Sequence, residues 1–483
     1  MPRVRILHVG WGFSPWRPGG LILYAEDLMA AQARRGHEVS YLLSGRHYPG
    51  LRGPRVRRWR RDGVAMVEVV NPPIVVGLER GTRTPDRDLA EPRLERIFER
   101  VLREQRPDVI HVQELLGHPS SILELAAGAG VPTVMTLQDY FPLCATVRLL
   151  DSDGRVCLRR EIGEDCAAGN AGAPADAAHL ARHTVHFELG RAKQRVPGLR
   201  RLSFAPLRPL VEPLVGAVAG RRDGAPAPQP LGPSSARQFQ RRREVNVARL
   251  GAVDRLLAQS ARVEEIYRLL GVEGERLRTL QLTLAHLERI APRPPRRAAR
   301  LTLATLGGFI GPSKGSELLL DTLERLRGAG AEGSFRLLVL GPVHESAARR
   351  LPAFPDVHLL GPYDRWELDR LLEDVDVGIM PSVWEEAYGF AGLELIAKGI
   401  PVVANRIGGM VDYVREGETG WLNESCSAEG LAGILLHLLG HPGEVAAMSR
   451  GVLAARGSLI KPFGRHADEI ASVYREAIAA RAR

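Results

Sequence analysis

Two glutamates, Glu386 and Glu394, are the residues of this sequence whose type and spacing best suit ligand chemistry. Glu386 stands in a loop after the apolar stretch 377–380, and Glu394 stands in a predicted helix from about Gly389 to Gly399. The free backbone N–H groups at the start of such a helix carry partial positive charge and favour a phosphate. A carboxylate for hydroxyl groups on each side of a phosphate seat predicts a nucleotide-sugar site.

The elements that position these two acids form a predicted strand–helix–strand unit. The strand at 377–380 ends at Pro381, a glycine closes the helix, and a second apolar strand follows at 402–404. Ligands of parallel sheets sit at the carboxyl ends of the strands, so both acids are expected at that edge. The spacing alone also fits an amphipathic helix with two solvated acids.

With Pro-Ser before it and Gly-Ile-Pro-Val-Val-Ala-Asn-Arg-Ile-Gly-Gly after it, this segment resembles the E-x7-E signature of the GT4 family of retaining glycosyltransferases. The resemblance implies an α/β chain of the GT-B fold, with two Rossmann-like domains facing each other across a cleft. It implies that Glu386 holds the donor sugar and Glu394 the ribose hydroxyls. It also implies no metal and no cofactor, because the nucleotide sugar is a substrate.

A glycine-rich loop at 307–315 follows a predicted strand at 301–306 and resembles the phosphate loop of the same family. Lys314 matches the family's lysine, whereas Phe309 stands where an arginine is expected. The resemblance implies that Lys314 and Glu386 are catalytic, with Lys314 stabilising the charge on the leaving diphosphate. Arg406 is a candidate for the missing cation. The implied donor-binding set is Gly19, Gly20, Gly308, Lys314, Glu386, Tyr388, Gly389, Phe390, Ala391 and Glu394.

Two loops in the first half of the chain carry further family-like residues. Gly19-Gly20 precedes a helix at 21–35, and paired glycines let the backbone approach a ligand, although a plain turn fits too. The loop 137–142 resembles a Thr-x-His-Asp-Tyr-Trp segment, with Gln138 at the histidine position. Gln138 can bond a sugar hydroxyl but does not titrate near neutral pH. Asp139 is expected to bind an acceptor hydroxyl or to cap the loop.

Three of the four cysteines cluster after this loop. Cys144, Cys157 and Cys166 include no Cys-x-x-Cys pair, and only His179 or His183 would complete a zinc site. We therefore predict unpaired thiols and no metal. So few cysteines in a chain of this length favour a reducing, cytoplasmic compartment.

The length of 483 residues predicts more than one domain. We expect a first, acceptor-side domain at 1–284 and a nucleotide-sugar-binding domain at 298–465. An insertion at about 167–245 is predicted within the first, and the resemblance implies that a terminal helix at 466–480 packs back on it. Because the insertion mixes leucines with arginines, it is expected to be a lid or a partly disordered loop, or to lie on a membrane surface.

The net charge of +10 does not by itself select a partner. The basic run Arg55–Arg61 is expected to be a solvated strand or loop, and no nucleic-acid-binding module is recognised. No apolar run reaches about twenty residues, so no membrane span is expected. A peripheral contact with the anionic inner face of the membrane stays open.

The predicted activity is transfer of a sugar from a nucleotide sugar to a hydroxyl acceptor, lipid-linked or saccharide. Polysaccharide, cell-envelope or glycoconjugate synthesis is the expected setting. Two alternatives stay open: a sugar-nucleotide epimerase of the same fold, and a weakly catalytic scaffold protein. Phe309 and Gln138 are the residues that favour the second alternative.

Overall fold

The computed structural model describes residues 3–49, 53–75, 80–174, 177–195 and 233–481. The chain divides into two compact units. Unit 1 comprises Met1–Ala258, Ile266–Arg278 and Glu469–Arg483, and unit 2 comprises Gln259–Glu265 and Thr279–Asp468. The division thus falls six residues before the predicted end of the first domain at 284, and the end of the last helix belongs to unit 1.

Unit 1 is built on a mostly parallel sheet of eight strands in the order β3-β4-β2-β1-β5-β6-β7-β8. Strand β3 runs antiparallel to β4. The strands are β1 Arg5–Gly10, β2 Glu38–Ser44, β3 Arg55–Arg61, β4 Val64–Val70, β5 Val109–Val112, β6 Thr133–Leu137, β7 Arg255–Ala258 and β8 Leu277–Thr279. The central strands are buried on both faces, as expected for a parallel sheet covered by helices. The basic strand β3 lies at the edge and is half solvated, as its composition predicted.

The helices of this part of the chain differ in how clearly they show the apolar period of an amphipathic helix. They are α1 Gly20–Arg34, α2 Pro85–Leu89, α3 Pro92–Gln105, α4 Ser121–Gly128, α5 Glu164–Gly169, α6 Ala178–Arg195, α7 Pro233–Leu250 and α8 Ala261–Leu269. Helix α3 shows the pattern most plainly, because its buried residues recur at positions 94, 97, 98, 101 and 102.

Helix α7 corrects one expectation about the insertion. The insertion is expected to be a lid, a partly disordered loop or a membrane-resting surface, yet its part at 233–245 is helical, and Arg242 and Arg243 are buried there. Arg242 pairs with the buried Asp88 at 2.8 Å, and Arg243 donates to the carbonyl of Leu143 at 2.7 Å. These two arginines therefore hold α7 inside unit 1. The Pro-, Ala- and Gly-rich stretch 220–235 predicts a flexible linker, of which 220–232 lie outside the described residues and 233–235 begin α7.

Unit 2 contains a fully parallel sheet in the order β11-β10-β9-β12-β13-β14. Its strands are β9 Leu301–Leu306, β10 Phe335–Leu340, β11 Val357–Gly361, β12 Val377–Met380, β13 Val402–Asn405 and β14 Gly420–Asn423. The helices are α9 Ser316–Gly328, α10 Glu345–Arg350, α11 Leu368–Leu371, α12 Phe390–Lys398, α13 Ala428–Gly440, α14 Pro442–Leu459 and α15 Phe463–Arg481, the last of which ends in unit 1.

The core of unit 2 explains the residue found in place of an expected arginine. Phe309 is completely buried and packs in the main hydrophobic cluster of this unit, with Leu303, Leu319 and Val339. A side chain at position 309 that points into this core, as Phe309 does, could not reach a ligand. The loop after β9 therefore uses position 309 for packing.

Helix length and composition bear on membrane insertion. Within the described ranges, no single helix is long and apolar enough to cross a membrane, and one pair of helices, Ala428–Gly440 with Pro442–Arg481, bent by 102°, passes only on combined length and composition.

Candidate active site

The helix that follows Glu386 is flanked by a glycine at each end, as predicted. Gly389 precedes α12 and Gly399 follows it, both in the left-handed conformation, with φ of 75° and 87°. No acidic residue stands in the first turn. The phenol of Tyr413 donates to the carbonyl of Gly389 at 2.7 Å and fixes this end. The N–H groups that start α12 therefore form a seat suited to an anion.

Lys314 and Glu386, the two predicted catalytic residues, meet in unit 2. Lys314 Nζ lies 2.7 Å from both Oε1 and Oε2 of Glu386. The carboxylate also accepts from Ser382 Oγ at 3.1 Å and from Trp384 Nε1 at 3.0 Å. Glu386 is only 8% exposed, so these donors stabilise a nearly buried charge. The predicted pair thus occupies one polar cluster at the end of β12.

The loop after β13 supports the backbone of Glu386. Gly409 N donates to the carbonyl of Glu386 at 2.6 Å. Gly408 has a φ of +66°, and a Cβ there would lie 2.4 Å from the backbone N of Glu386. Only glycine allows this approach without displacing one of the two segments.

Glu394, the predicted ribose-binding acid, lies on the inner face of α12. Its Oε1 is 2.7 Å from Nε2 of His286, which is completely buried. Glu394 is itself 7% exposed. The two predicted acids are therefore both turned inward and both hydrogen-bonded.

Glu385 and Arg262 form a second ion pair, which sequence reasoning missed. Arg262 Nε donates to Oε2 of Glu385 at 3.1 Å, and the same oxygen accepts from Gly408 N at 2.9 Å. The hydrogen bond to Glu385, the largest cause, raises the pKa of Arg262. No local pattern could have found this pair, because its members are 123 positions apart. The acid beside Glu386 is therefore a support for the 408 loop.

The loop that carries Lys314 lies directly against the end of β12. Gly315 has a φ of +87°, and a Cβ there would lie 2.0 Å from the carbonyl oxygen of Pro381. Gly308 also faces this proline, with a Cβ position 3.2 Å from Pro381 Cγ. Arg406, the candidate extra cation, is 45% exposed and pairs with Glu424 at 2.5 Å.

The predicted acceptor-side residues follow β6 in unit 1. Gln138 donates to Gln113 at 2.8 Å, and Asp139 Oδ1 accepts from the N–H of Phe141 at 2.7 Å, so Asp139 does cap its loop. Burial raises the pKa of Asp139 to about 6. Its other oxygen, Oδ2, is buried and has no hydrogen-bond partner in the described structure.

Glu114, after β5, is a buried acid beside these residues that the sequence did not single out. Its Oε2 accepts from the N–H of Trp11 at 3.1 Å, and Gln138 Nε2 lies 3.4 Å from Oε1. Burial, followed by the charge of Asp139, raises the pKa of Glu114 to about 8. Glu114 therefore carries a proton near pH 7. Its position directly after a buried strand was the available signal.

Gly19 and Gly20 also lie in unit 1, where Gly19 has a φ of 135° and immediately precedes α1. The site residues are thus grouped by unit. Unit 2 holds Gly308, Lys314, Glu386, Tyr388, Gly389, Phe390, Ala391 and Glu394, and unit 1 holds Gly19, Gly20, Gln138 and Asp139.

The clustered cysteines line a small cavity in unit 1. Cys144, Cys157 and Cys166 are free thiols, and burial raises the pKa of Cys166 to about 11. Over the described ranges, the three or more ligand atoms that lie within 4.8 Å of one another belong to an exposed group formed by His437, His441 and Glu444. The thiols do not form such a group.

Sequence profiles of known families match both halves of the chain. The profile described as "Glycosyl transferase 4-like domain" matches residues 19–283, which is more than half of the chain. The profile described as "Glycosyl transferases group 1" matches residues 300–441.

A curated glycosyltransferase aligns with part of the chain. D-inositol 3-phosphate glycosyltransferase of Rhodococcus jostii (strain RHA1) is 31% identical over 160 residues, which are 31% of this chain and 35% of that protein. The alignment thus spans about a third of the relative's length.

Two solved structures match nearly the whole chain at low identity. Sucrose-phosphate synthase from Thermosynechococcus elongatus has a TM-score of 0.64 at 16% identity, covering 99% of this chain and 100% of that one. Anabaena Alr3699/HepE in complex with UDP and glucose has a TM-score of 0.56 at 14% identity, covering 98% and 99%. These likenesses, with the two parallel sheets, confirm the predicted GT-B fold class.

Proposed function

Because the chain belongs to the family of group 1, GT4-like glycosyltransferases, we propose that it transfers a sugar from a nucleotide-sugar donor to a hydroxyl group of an acceptor, retaining the anomeric configuration. The observation that carries this proposal is the cluster at the end of β12. There Lys314 bonds both oxygens of the nearly buried Glu386, beside the uncapped start of α12.

We propose a task for each site residue of unit 2. The ammonium of Lys314 and the N–H groups at the start of α12 stabilise the charge that grows on the leaving diphosphate. Glu386 binds hydroxyl groups of the donor sugar, and Glu394 binds those of the ribose. Because Lys314 already contacts Glu386, a donor phosphate competes with that carboxylate for the ammonium.

The donor complexes of structural neighbours support the class of donor. HepE of Anabaena was solved with UDP and with UDP-glucose. In the proposed reaction the bond between the anomeric carbon and the diphosphate breaks, and a bond to the acceptor oxygen forms on the same face. A donor phosphate oxygen takes the acceptor proton, so no base from the protein is required.

The test is a screen of the purified chain against a panel of nucleotide sugars, measuring nucleotide release and transfer to saccharide and lipid-linked acceptors. Glu386→Ala and Lys314→Ala are expected to lose turnover. Glu429→Ala removes an exposed acid of the same unit and serves as the matched control. Retention of full activity by both site variants would overturn the assignment.

Two other outcomes of the same screen point to different functions. An epimerised sugar formed from donor alone would indicate a sugar-nucleotide epimerase. Donor binding without turnover on any acceptor would indicate a scaffold protein.

A further inference from the structure

Three side chains that can bind a metal ion converge where α13 ends and α14 begins. A ring nitrogen of His437, a ring nitrogen of His441 and a carboxylate oxygen of Glu444 lie within 4.8 Å of one another. His437 stands in the last turn of α13, His441 lies between the two helices, and Glu444 stands in the first turn of α14. All three are exposed, so an ion in solution can reach them.

The separation of two of these side chains fits a tetrahedral ion. Nε2 of His437 is 3.0 Å from Oε2 of Glu444. Nitrogen and oxygen ligands bind Zn²⁺ at about 2.0–2.2 Å, so two ligands of one tetrahedral ion lie about 3.3 Å apart. The ring of His441 is stacked on that of His437, with ring centres 4.4 Å apart and planes 21° from parallel. The third ligand is therefore next to the first two.

The hydrogen bonds of the two rings show where their lone pairs are. Nδ1 of His441 is 2.9 Å from the carbonyl oxygen of His437, which can only accept, so Nδ1 donates and Nε2 of the neutral ring keeps a lone pair. Such a contact to a backbone carbonyl orients many histidines that bind metals. Nε2 of His437 donates to the carboxylate of Glu444 in the same way. A bound ion takes the place of that proton, which moves to Nδ1 of His437.

The backbone holds the three positions in place before an ion binds. The N–H of His441 donates to the carbonyl of Leu438 at 3.1 Å, and the N–H of Glu444 donates to the carbonyl of His441 at 2.9 Å. Pro442 fixes its own φ between them. Leu438 and Val445, each adjacent to a ligand, belong to the buried core of unit 2. Little backbone order is therefore lost on binding.

The types of the three side chains select the class of ion. Two imidazoles and one carboxylate suit Zn²⁺, Ni²⁺ or Cu²⁺, whereas Mg²⁺ and Ca²⁺ prefer oxygen ligands throughout. Three protein ligands leave one position of a tetrahedral ion for water.

We propose that His437, His441 and Glu444 bind a divalent ion of the zinc class, and that this ion links the end of α13 to the first turn of α14. The chain bends at the break between these helices, and an ion bound on both sides resists opening of the bend. None of the three belongs to the predicted donor- or acceptor-site residues. The proposal is therefore independent of the proposed transfer.

The first experiment titrates the purified full chain with Zn²⁺, following the heat of binding and Tm. The chain carries no added histidine tag and is first stripped of metal with a chelator. Compared are the parent, His437→Gln, His441→Gln and the control His358→Gln, which removes an exposed histidine of β11. We expect Zn²⁺ to raise the Tm of the parent and the control, and each site variant to bind it at least about tenfold more weakly. Equal affinities in the site variants and the parent would overturn the site.

The choice of ion is tested in the same titration. Mg²⁺ should leave Tm unchanged in the parent and in every variant, because the site offers only one oxygen-bearing side chain. A rise in Tm with Mg²⁺ equal to that with Zn²⁺ would show a general effect of divalent charge and would contradict the proposal.

Co²⁺ in place of Zn²⁺ separates this site from the three thiols of unit 1. Thiolate ligands give Co²⁺ a strong charge-transfer absorption in the near ultraviolet, whereas imidazole and carboxylate ligands give visible d–d bands without it. We expect d–d bands in the parent and in His358→Gln, and their loss in His437→Gln. A charge-transfer band that persists in His437→Gln would place the ion on Cys144, Cys157 and Cys166 and overturn the proposal.

Stability without metal separates ion binding from the hydrogen bond between His437 and Glu444. Because these side chains are exposed, the glutamine variants should fold and have the Tm of the parent in metal-free buffer. Glu444→Gln should also bind Zn²⁺ more weakly, since it loses the only charged ligand. A lowered Tm of His437→Gln in metal-free buffer, with the response to Zn²⁺ unchanged, would show that these residues act only through their own hydrogen bond.

Discussion

Buried ionisable groups at the carboxyl edges of the two sheets differ in whether they have a partner of opposite charge. In unit 2 two buried acids at the edge face basic side chains, with Lys314 bonded to Glu386 and Arg262 to Glu385. In unit 1 the buried Arg17 has no anion within the described residues. Among the described residues the acid Glu114 forms no ion pair, and it holds its proton at neutral pH.

This difference teaches where ligand charge can be accommodated. At the edge in unit 2, called the matched edge, an anionic ligand competes with the carboxylate of Glu386, which already bonds Lys314. The ligand binds Lys314 only if it interacts with the ammonium more favourably than that carboxylate does. At the edge in unit 1, called the unmatched edge, no carboxylate bonds the buried Arg17 within the described residues. Variants at the two edges should therefore differ in sign as well as in size.

The largest effect is expected from the pair at the matched edge. Lys314→Met and Glu386→Gln should each lower kcat/KM for transfer by about 100-fold or more, because each removes a group that contacts the donor. The double variant should lose less than the product of the two, since the residues share one contact. Steady-state kinetics with the donor found in the screen provide the measurement. Strict multiplicativity would show that the two residues act independently.

Gly408→Ala should disturb the same edge through the backbone. Both Gly408 and Gly417 have positive φ, so alanine at either costs about 1 kcal/mol or more in strain. Only at Gly408 would the new Cβ meet the backbone of Glu386, whereas Gly417 faces open space. We expect kcat/KM to fall more than about tenfold for Gly408→Ala, as for a displaced site residue. Gly417→Ala should keep a kcat/KM near that of the parent. Similar losses of kcat/KM in both variants would show that φ strain alone causes the effect.

Arg262→Met tests whether a matched charge stabilises unit 2. It leaves Glu385 buried without its cation, and a loss of about 2 kcal/mol is expected, discounted because Arg262 is 26% exposed. Tm by calorimetry is the measurement. Glu265→Gln removes only the exposed partner of Arg262 and should leave Tm unchanged. A Tm for Arg262→Met equal to that of the parent would argue against charge matching.

The local elements of the matched edge could be predicted because their signals are local. The strand at 377–380 was predicted with the bounds that the structure has, and Gly389 and Gly399 bound α12. Phe309 was identified as a departure from the family pattern, and its burial in the core gives the reason. Apolar runs and helix-ending glycines are readable because each depends on neighbours in sequence.

The partners of the site residues could not be predicted. His286 meets Glu394 from 108 positions away, and Arg17 meets two indoles whose stacking depends on the path of one loop. The helix α7 was not predicted because it lies in an insertion that mixes leucines with arginines, although Asp88 and backbone carbonyls pair with Arg242 and Arg243 inside unit 1. Such contacts are set by tertiary packing, which no periodicity encodes.

An effect of opposite sign is expected for Glu114→Gln at the unmatched edge. Burial raises the pKa of Glu114 to about 8, from 4.5. Above pH 4.5 the unfolded chain loses this proton while the folded chain keeps it, so stability falls as pH rises towards 8. Glutamine carries no titrating proton and escapes this loss. Glu114→Gln should therefore raise Tm at pH 8.5, by roughly 2–4 °C for each kcal/mol gained, and change it little at pH 5.

Glu273→Gln, an exposed acid of the same unit, is the control for this titration and should show no dependence of ΔTm on pH. If Glu114→Gln instead lowered Tm more at pH 8.5 than at pH 5, its carboxylate would be ionised and matched in the folded chain. The contrast between the two edges would then fail, because unit 1 would hold a stabilised anion where the structure places a protonated acid.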